Sequence, residues 1–134
     1  MVAAVCSWHE RHAVVAAEIE RQLAARGRLA IPAHALVESY AVLTRLPAPH
    51  RLAPADAWAL LSANFVEPAK IVALEGPVHA VLLARLAAVG TGGGRTYDAL
   101  IAEPTATAGA EVLLTLNPRH FEPPAGDLTV VEPR

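Results

Sequence analysis

The sequence contains one cysteine, Cys6, few aromatic residues (4%) and no excess of basic charge, its formal net charge being -2. A single cysteine cannot close an internal disulfide, so a disulfide-stapled secreted scaffold is excluded. The scarcity of aromatics means that any core must be assembled from Ala, Val, Leu and Ile, which a hydrophobic content of 54% against 18% charged supplies. That balance also excludes intrinsic disorder. With no general basic field, a polyanion would have to be held by a local patch or through a bound cation. Apolar stretches are cut by charge, Pro or Gly well short of the roughly 20 residues that span a bilayer. No charged leader with an apolar run and small-residue cleavage site opens the chain. The expectation is a cytoplasmic protein with no membrane contact. Internal repeats and low-complexity segments are also missing, and 134 residues suit one domain, 1–134.

Several catalytic classes lose their support in the same way. The six histidines (His9, His12, His34, His50, His79 and His120) show no paired ligand spacing within one helix, so a zinc site is not expected. Gly92, Gly93 and Gly94 stand apart from any strand-helix phosphate motif and read as a loop. Cys6 reads as a small buried hydrophobe and not as a nucleophile.

What is present alternates short apolar strands with amphipathic helices. Met1 to Val5 is a β-compatible stub, followed by Ser7 and Glu10 in capping-box spacing and a helix expected over about Trp8 to Ala25, stopped by Gly27. A short run at Leu29 to Ile31 precedes a helix from about Ala33 to Leu46. Pro54 and Asp56 open another, with Trp58, Leu61 and Phe65 expected on its buried face. Ile71 to Leu74, Val112 to Leu114 and Leu128 to Val131 are strand candidates. Between them lie helices from Pro77 to Val89 and from a cap at Thr96. The order implies a parallel sheet covered by helices on both faces. A complete unit of this kind begins with a full strand, and the chain is expected to lack most of its first one.

Three residues stand out chemically. Glu38 is the only carboxylate between Glu20 and Asp56 and interrupts an apolar stretch, so it is either solvated or gathered into a site. Asp98 lies in the first turn of its helix, where a carboxylate is favoured by the macrodipole whether or not it does anything else. Asn117 follows the strand Val112 to Leu114 at its C-terminal end, where open α/β sheets place their sites, although Asn before Pro is also ordinary turn chemistry.

Four segments in this order resemble the VapC-type PIN-domain ribonucleases. They are Ser7-Trp8-His9-Glu10-Arg11-His12, Ile31-Pro32 through Glu38, Thr96-Tyr97-Asp98-Ala99-Leu100-Ile101-Ala102, and Leu114-Thr115-Leu116-Asn117-Pro118-Arg119-His120-Phe121. The resemblance implies an α/β fold, a three-layer α/β/α sandwich with a central parallel sheet. It also implies a metal-dependent endoribonuclease, the toxin of a toxin-antitoxin pair. Glu38 and Asp98 then match the family's second and third acids, Asn117 its fourth position and Thr115 the small polar residue just before it. Together these would hold Mg²⁺ or Mn²⁺ and act on RNA. The implied partner is a cognate antitoxin protein, and Arg95 and Arg119 would flank the site within reach of phosphate. Separately, the wide apolar arcs of the helices Ala33 to Leu46 and Pro54 to Val66, with Tyr40, Trp58, Leu60 and Leu61, suggest a homodimer or an antitoxin peptide lying in a groove.

Two features depart from the family pattern. Its first acid aligns before residue 1, which makes this an N-terminally truncated PIN-like domain in expectation. Glu103-Pro104 interrupts the Asp98 helix, where an interior Pro costs about 3 kcal/mol and predicts a kink after Ala102. Two other functions therefore stand beside the ribonuclease: a catalytically inactive PIN remnant that acts only by protein-protein binding, and an unrelated small α/β binding domain.

Overall fold

The computed structural model describes residues 1–134 as two compact units, Met1–Ile71 with Pro133–Arg134, and Val72–Glu132. The class is α/β, as expected, with twelve short elements. No helix is long and apolar enough to cross a membrane.

The first unit opens with α1 (Val2–Val5), one helical turn where a strand stub was expected. Ala3 and Ala4 carry the highest helix propensity, and the turn is closed by Ala4 N–H on the Met1 carbonyl and Cys6 N–H on that of Val2. Helix α2 (His12–Arg26) starts four residues later than the capping-box spacing predicts. Local bonds win there: the amide of His9 donates to the Cys6 carbonyl, and that of Arg11 to Nδ1 of His9. Ser7 and Glu10 thus lie in turns and cap nothing. At the other end Gly27 adopts φ 68°, and its N–H closes onto the Leu23 carbonyl at 2.7 Å, a left-handed stop that Gly reaches without strain.

Strand β1 (Ala30–Pro32) runs into α3 (Ala33–Arg45), whose first turn is prepared by the fixed φ of Pro32. Helix α4 (Pro54–Leu61) has Pro at its first position and Asp56 in its first turn. A π-helical turn, Ser62–Val66, extends it, and β2 (Lys70–Val72) then pairs with β1. Leu43 and Ala57 are wholly buried, Leu61 nearly so, and Ile31, Phe65 and Cys6 complete the cluster. Each such leucine contributes about 1.5–3 kcal/mol from burial. Ala57, Leu61 and Phe65 recur at i, i+4 and i+8, so the neighbouring Trp58 points about 100° away. It is 53% exposed, against the expectation that it would be buried.

In the second unit, α5 (Gly76–Ala88) buries only Leu82, leaving Val78, Val81 and Leu83 exposed. Helix α6 (Arg95–Thr107) starts after Gly94, so Thr96 lies inside the helix and does not cap it. It also continues through Pro104 to Thr107. Pro104 stands three residues before the last helical residue, Thr107, and Thr105 Oγ1 donates to the Ile101 carbonyl at 2.6 Å alongside. Strands β3 (Val112–Leu114) and β4 (Thr129–Val131) are parallel, with Val112 opposite Thr129 and Leu114 opposite Val131. Between them a 3₁₀ turn, Pro118–Phe121, drops Phe121 into a core shared with Ala102 and Leu113.

Candidate active site

Asp98 stands one turn into α6 with its side chain mostly covered. A guanidinium and an imidazole face it. Nε of Arg95 lies 3.9 Å from Oδ2, and Nδ1 of His120 lies 3.6 Å from Oδ1. Both distances exceed those of hydrogen bonds, so the carboxylate oxygens keep their lone pairs oriented by charge but not saturated. Arg95 has a second task, donating through Nη2 to the Glu122 carbonyl at 2.9 Å and through Nη1 to that of Arg119 at 3.3 Å. It fastens the 3₁₀ turn beside the start of α6.

Asn117 immediately precedes that turn. Its N–H donates to Oγ1 of Thr115 at 3.0 Å, its carbonyl accepts from the amide of His120 at 3.0 Å, and the residue is exposed. Thr115 is itself held to β4 through its N–H on the Val131 carbonyl. The parallel pairing of β3 with β4 thus delivers Thr115 and Asn117 beyond the C-terminal end of β3. From there His120 reaches Asp98. Within the second unit, two of the three residues singled out from sequence therefore belong to one connected arrangement.

Glu38 belongs to the first unit, exposed on α3 six residues beyond the end of β1. Its charge acts on the Met1 amino group, whose pKa burial pushes down while Cys6 and then Glu38 pull it back up. Burial likewise raises the pKa of the Cys6 thiol, consistent with an inert residue in the core. Arg119 is exposed and offers its carbonyl to Arg95.

His120 was not recognisable as a site residue. It is 22 positions from Asp98 on a different element, and only the return of the chain through β3 and the 3₁₀ turn brings the two together. In neither unit do three or more His, Cys, Asp or Glu side chains gather around a cation-sized space, so a cation would draw on a smaller protein set. Asp98, Glu38 and Asn117 offer oxygen donors only, two anionic and one neutral, the chemistry preferred by Mg²⁺ and Mn²⁺.

The PIN domain family matches residues 1–125. Ribonuclease VapC40 of Mycobacterium tuberculosis, in strains CDC 1551 / Oshkosh and ATCC 25618 / H37Rv, is 37% identical over 113 residues, covering 84% of this chain and 78% of the relative. Ribonuclease VapC27 of strain ATCC 25618 / H37Rv is 40% identical over 104 residues, covering 78% of this chain and 70% of the relative. No solved structure matches significantly.

Proposed function

The chain belongs to the PIN-domain family, and from that premise we propose that it is a metal-dependent endoribonuclease, the toxin of a toxin-antitoxin pair. The observation that carries this reading is the placement of Asp98, beside His120 and the Thr115–Asn117 turn at the C-terminal end of a parallel strand. The relatives named as ribonucleases support the substrate class. The family match runs through both compact units, which supports reading residues 1–134 as one PIN-like domain built as a three-layer α/β/α sandwich.

In this reading Asp98 and Glu38 supply the charge that holds Mg²⁺ or Mn²⁺, and Asn117 adds a neutral oxygen. When bound, the cation supplies a Lewis acid for the phosphoryl oxygens and an acidified water. The protein contributes orientation. Arg95 fixes the turn that carries Asn117 and His120, and the Thr115 hydroxyl sets the Asn117 backbone. Water adds across the P–O ester bond, leaving a phosphate monoester and a free hydroxyl. A carboxylate repels phosphate unless a cation screens it, so substrate binding and metal binding should rise together.

The exposed apolar groove formed by Leu36, Val37, Tyr40, Trp58 and Leu61 supports the partner half of the proposal, an antitoxin segment or a second copy. It also favours the second reading, a PIN-domain protein that acts by binding alone. Incubating the chain with single-stranded RNA and Mn²⁺, with and without EDTA, separates the two. The ribonuclease reading expects EDTA-sensitive cleavage that Asp98→Asn abolishes. Absence of cleavage with Mn²⁺ leaves only the binding reading.

A further inference from the structure

The few aromatic side chains divide sharply by type. Phe65 and Phe121 are buried, while both Trp and both Tyr are exposed. Tyr40 and Trp58 line the apolar groove, and Tyr97 lies on α6. Trp8 is apart from these. It projects from the turn between α1 and α2 and stacks on the imidazole of His50, ring centroids 4.1 Å apart and planes inclined by 27°. The ring of His9 stands at 6.0 Å, tilted by 38°.

Both halves of the stack are anchored independently. The Trp8 turn is tied by His9 N–H on the Cys6 carbonyl and His12 N–H on that of His9. The His50 loop is tied by His50 N–H on the Pro47 carbonyl, Leu52 N–H on the buried Leu43, and Arg51 Nε on the Leu46 carbonyl. Trp8 is 47% exposed although the His50 ring stacks on it, so much of its surface remains open to solvent. An open indole face held rigidly from behind binds flat π-systems at little entropic cost, and the exposed guanidinium of Arg51 adds positive charge next to His50.

We infer that the Trp8–His50 stack is a platform on which an unpaired base of single-stranded RNA stacks. The inference rests on the ribonuclease reading for its ligand class, and it adds a contact that requires neither the acids nor a cation. Bases in a duplex present no free face, so the platform selects single strands or loops. Stacking is tolerant of base identity and therefore strengthens binding without fixing a sequence.

The test uses the full chain and a mixed-sequence single-stranded RNA about a dozen nucleotides long, with a duplex of the same sequence for comparison. In a Trp58→Phe background Trp8 is the sole indole. Single-stranded RNA in EDTA should quench its fluorescence and the duplex should not. Trp8→Ala should weaken single-strand binding about tenfold or more, Trp8→Phe much less, and His50→Ala by an intermediate amount. In Mn²⁺, Trp8→Ala should raise KM and leave kcat unchanged. Circular dichroism identifies any variant that fails to fold, and Trp8→Phe, which keeps the ring, then carries the comparison with His50→Ala. Unchanged RNA affinity in folded Trp8→Ala, or equal quenching by the duplex, overturns the platform. A parent chain that shows the quench yet cuts no RNA overturns the ribonuclease reading and leaves the platform standing.

Discussion

Nδ1 of His120 stands 3.6 Å from Oδ1 of Asp98, close enough to orient the carboxylate electrostatically and too far to saturate it with a hydrogen bond. A divalent cation taking Asp98 would compete with this imidazole. His120→Ala should therefore leave Mn²⁺ affinity equal or improved, whereas Asp98→Asn, nearly isosteric but uncharged, should lower it by at least about tenfold. Isothermal titration with Mn²⁺ reads both. A loss in His120→Ala as large as in Asp98→Asn would make the imidazole a ligand and not a competitor.

Arg95 acts on the same turn from another side, bonding the carbonyls of Arg119 and Glu122. In Arg95→Met the hydrophobic stem remains and the donors vanish. Charge-assisted bonds at a half-exposed position are worth on the order of 1 kcal/mol, so the amide of His120, closed onto Asn117, should exchange about fivefold faster. Hydrogen exchange across the chain checks this. Exchange unchanged at His120 would show that the turn is held by Phe121 packing alone.

Much of this arrangement could be read from residue patterns, and the reasons for the exceptions are physical. Gly27, Pro54 with Asp56, and the apolar runs at Ile31, Val112 and Leu128 each act through local geometry, so the elements they bound stand close to where the pattern places them. Val2–Val5 is ambiguous because Val favours strands and Ala favours helices, and a four-residue stretch is decided by what it packs on. Trp58 is exposed where the helical pattern predicts burial because Ala57, a small residue, takes the buried position beside it. Asp98 and Asn117 were visible as chemistry at element ends. His120 was not, since no periodicity links residues on separate elements.

Helix α2 carries a pH-sensitive contact of its own. Glu18 accepts from Nε and Nη2 of Arg21 at 2.8 and 2.5 Å and from Gln22 at 2.8 Å, which holds its carboxyl down at about 2 against an ordinary value of 4.5. A depressed pKa means that the folded state binds its proton less readily than the unfolded chain. The contribution is therefore fully present above pH 4.5 and is lost as pH falls through about 2. Glu18→Gln should lower the urea midpoint at pH 7 and make no difference near pH 2. An equal difference at both values would remove the ionised carboxylate as the cause.

The apolar residues of the first unit divide into those that hold the fold and those available to a partner, and substitution should separate them. Leu43 is fully buried between α3 and the elements around it, so Leu43→Ala leaves a cavity and should cost about 2–5 kcal/mol in a urea titration. Trp58 and Val37 border the groove at 53% and 66% exposure, so Trp58→Ser removes less buried surface than a core truncation and should cost clearly less than Leu43→Ala. Large exposed apolar side chains placed together in this way mark an interface, and aromatic anchors carry most of the affinity in such surfaces. On the proposed reading, the groove of the isolated chain is expected to be covered by a second copy. Sedimentation of the purified protein should then give a dimer mass that Trp58→Ser reduces to that of the monomer while the urea transition shows the variant still folded. A monomeric parent would discard the homodimer, and a dimer that survives Trp58→Ser would place its interface elsewhere than on Val37, Tyr40 and Trp58.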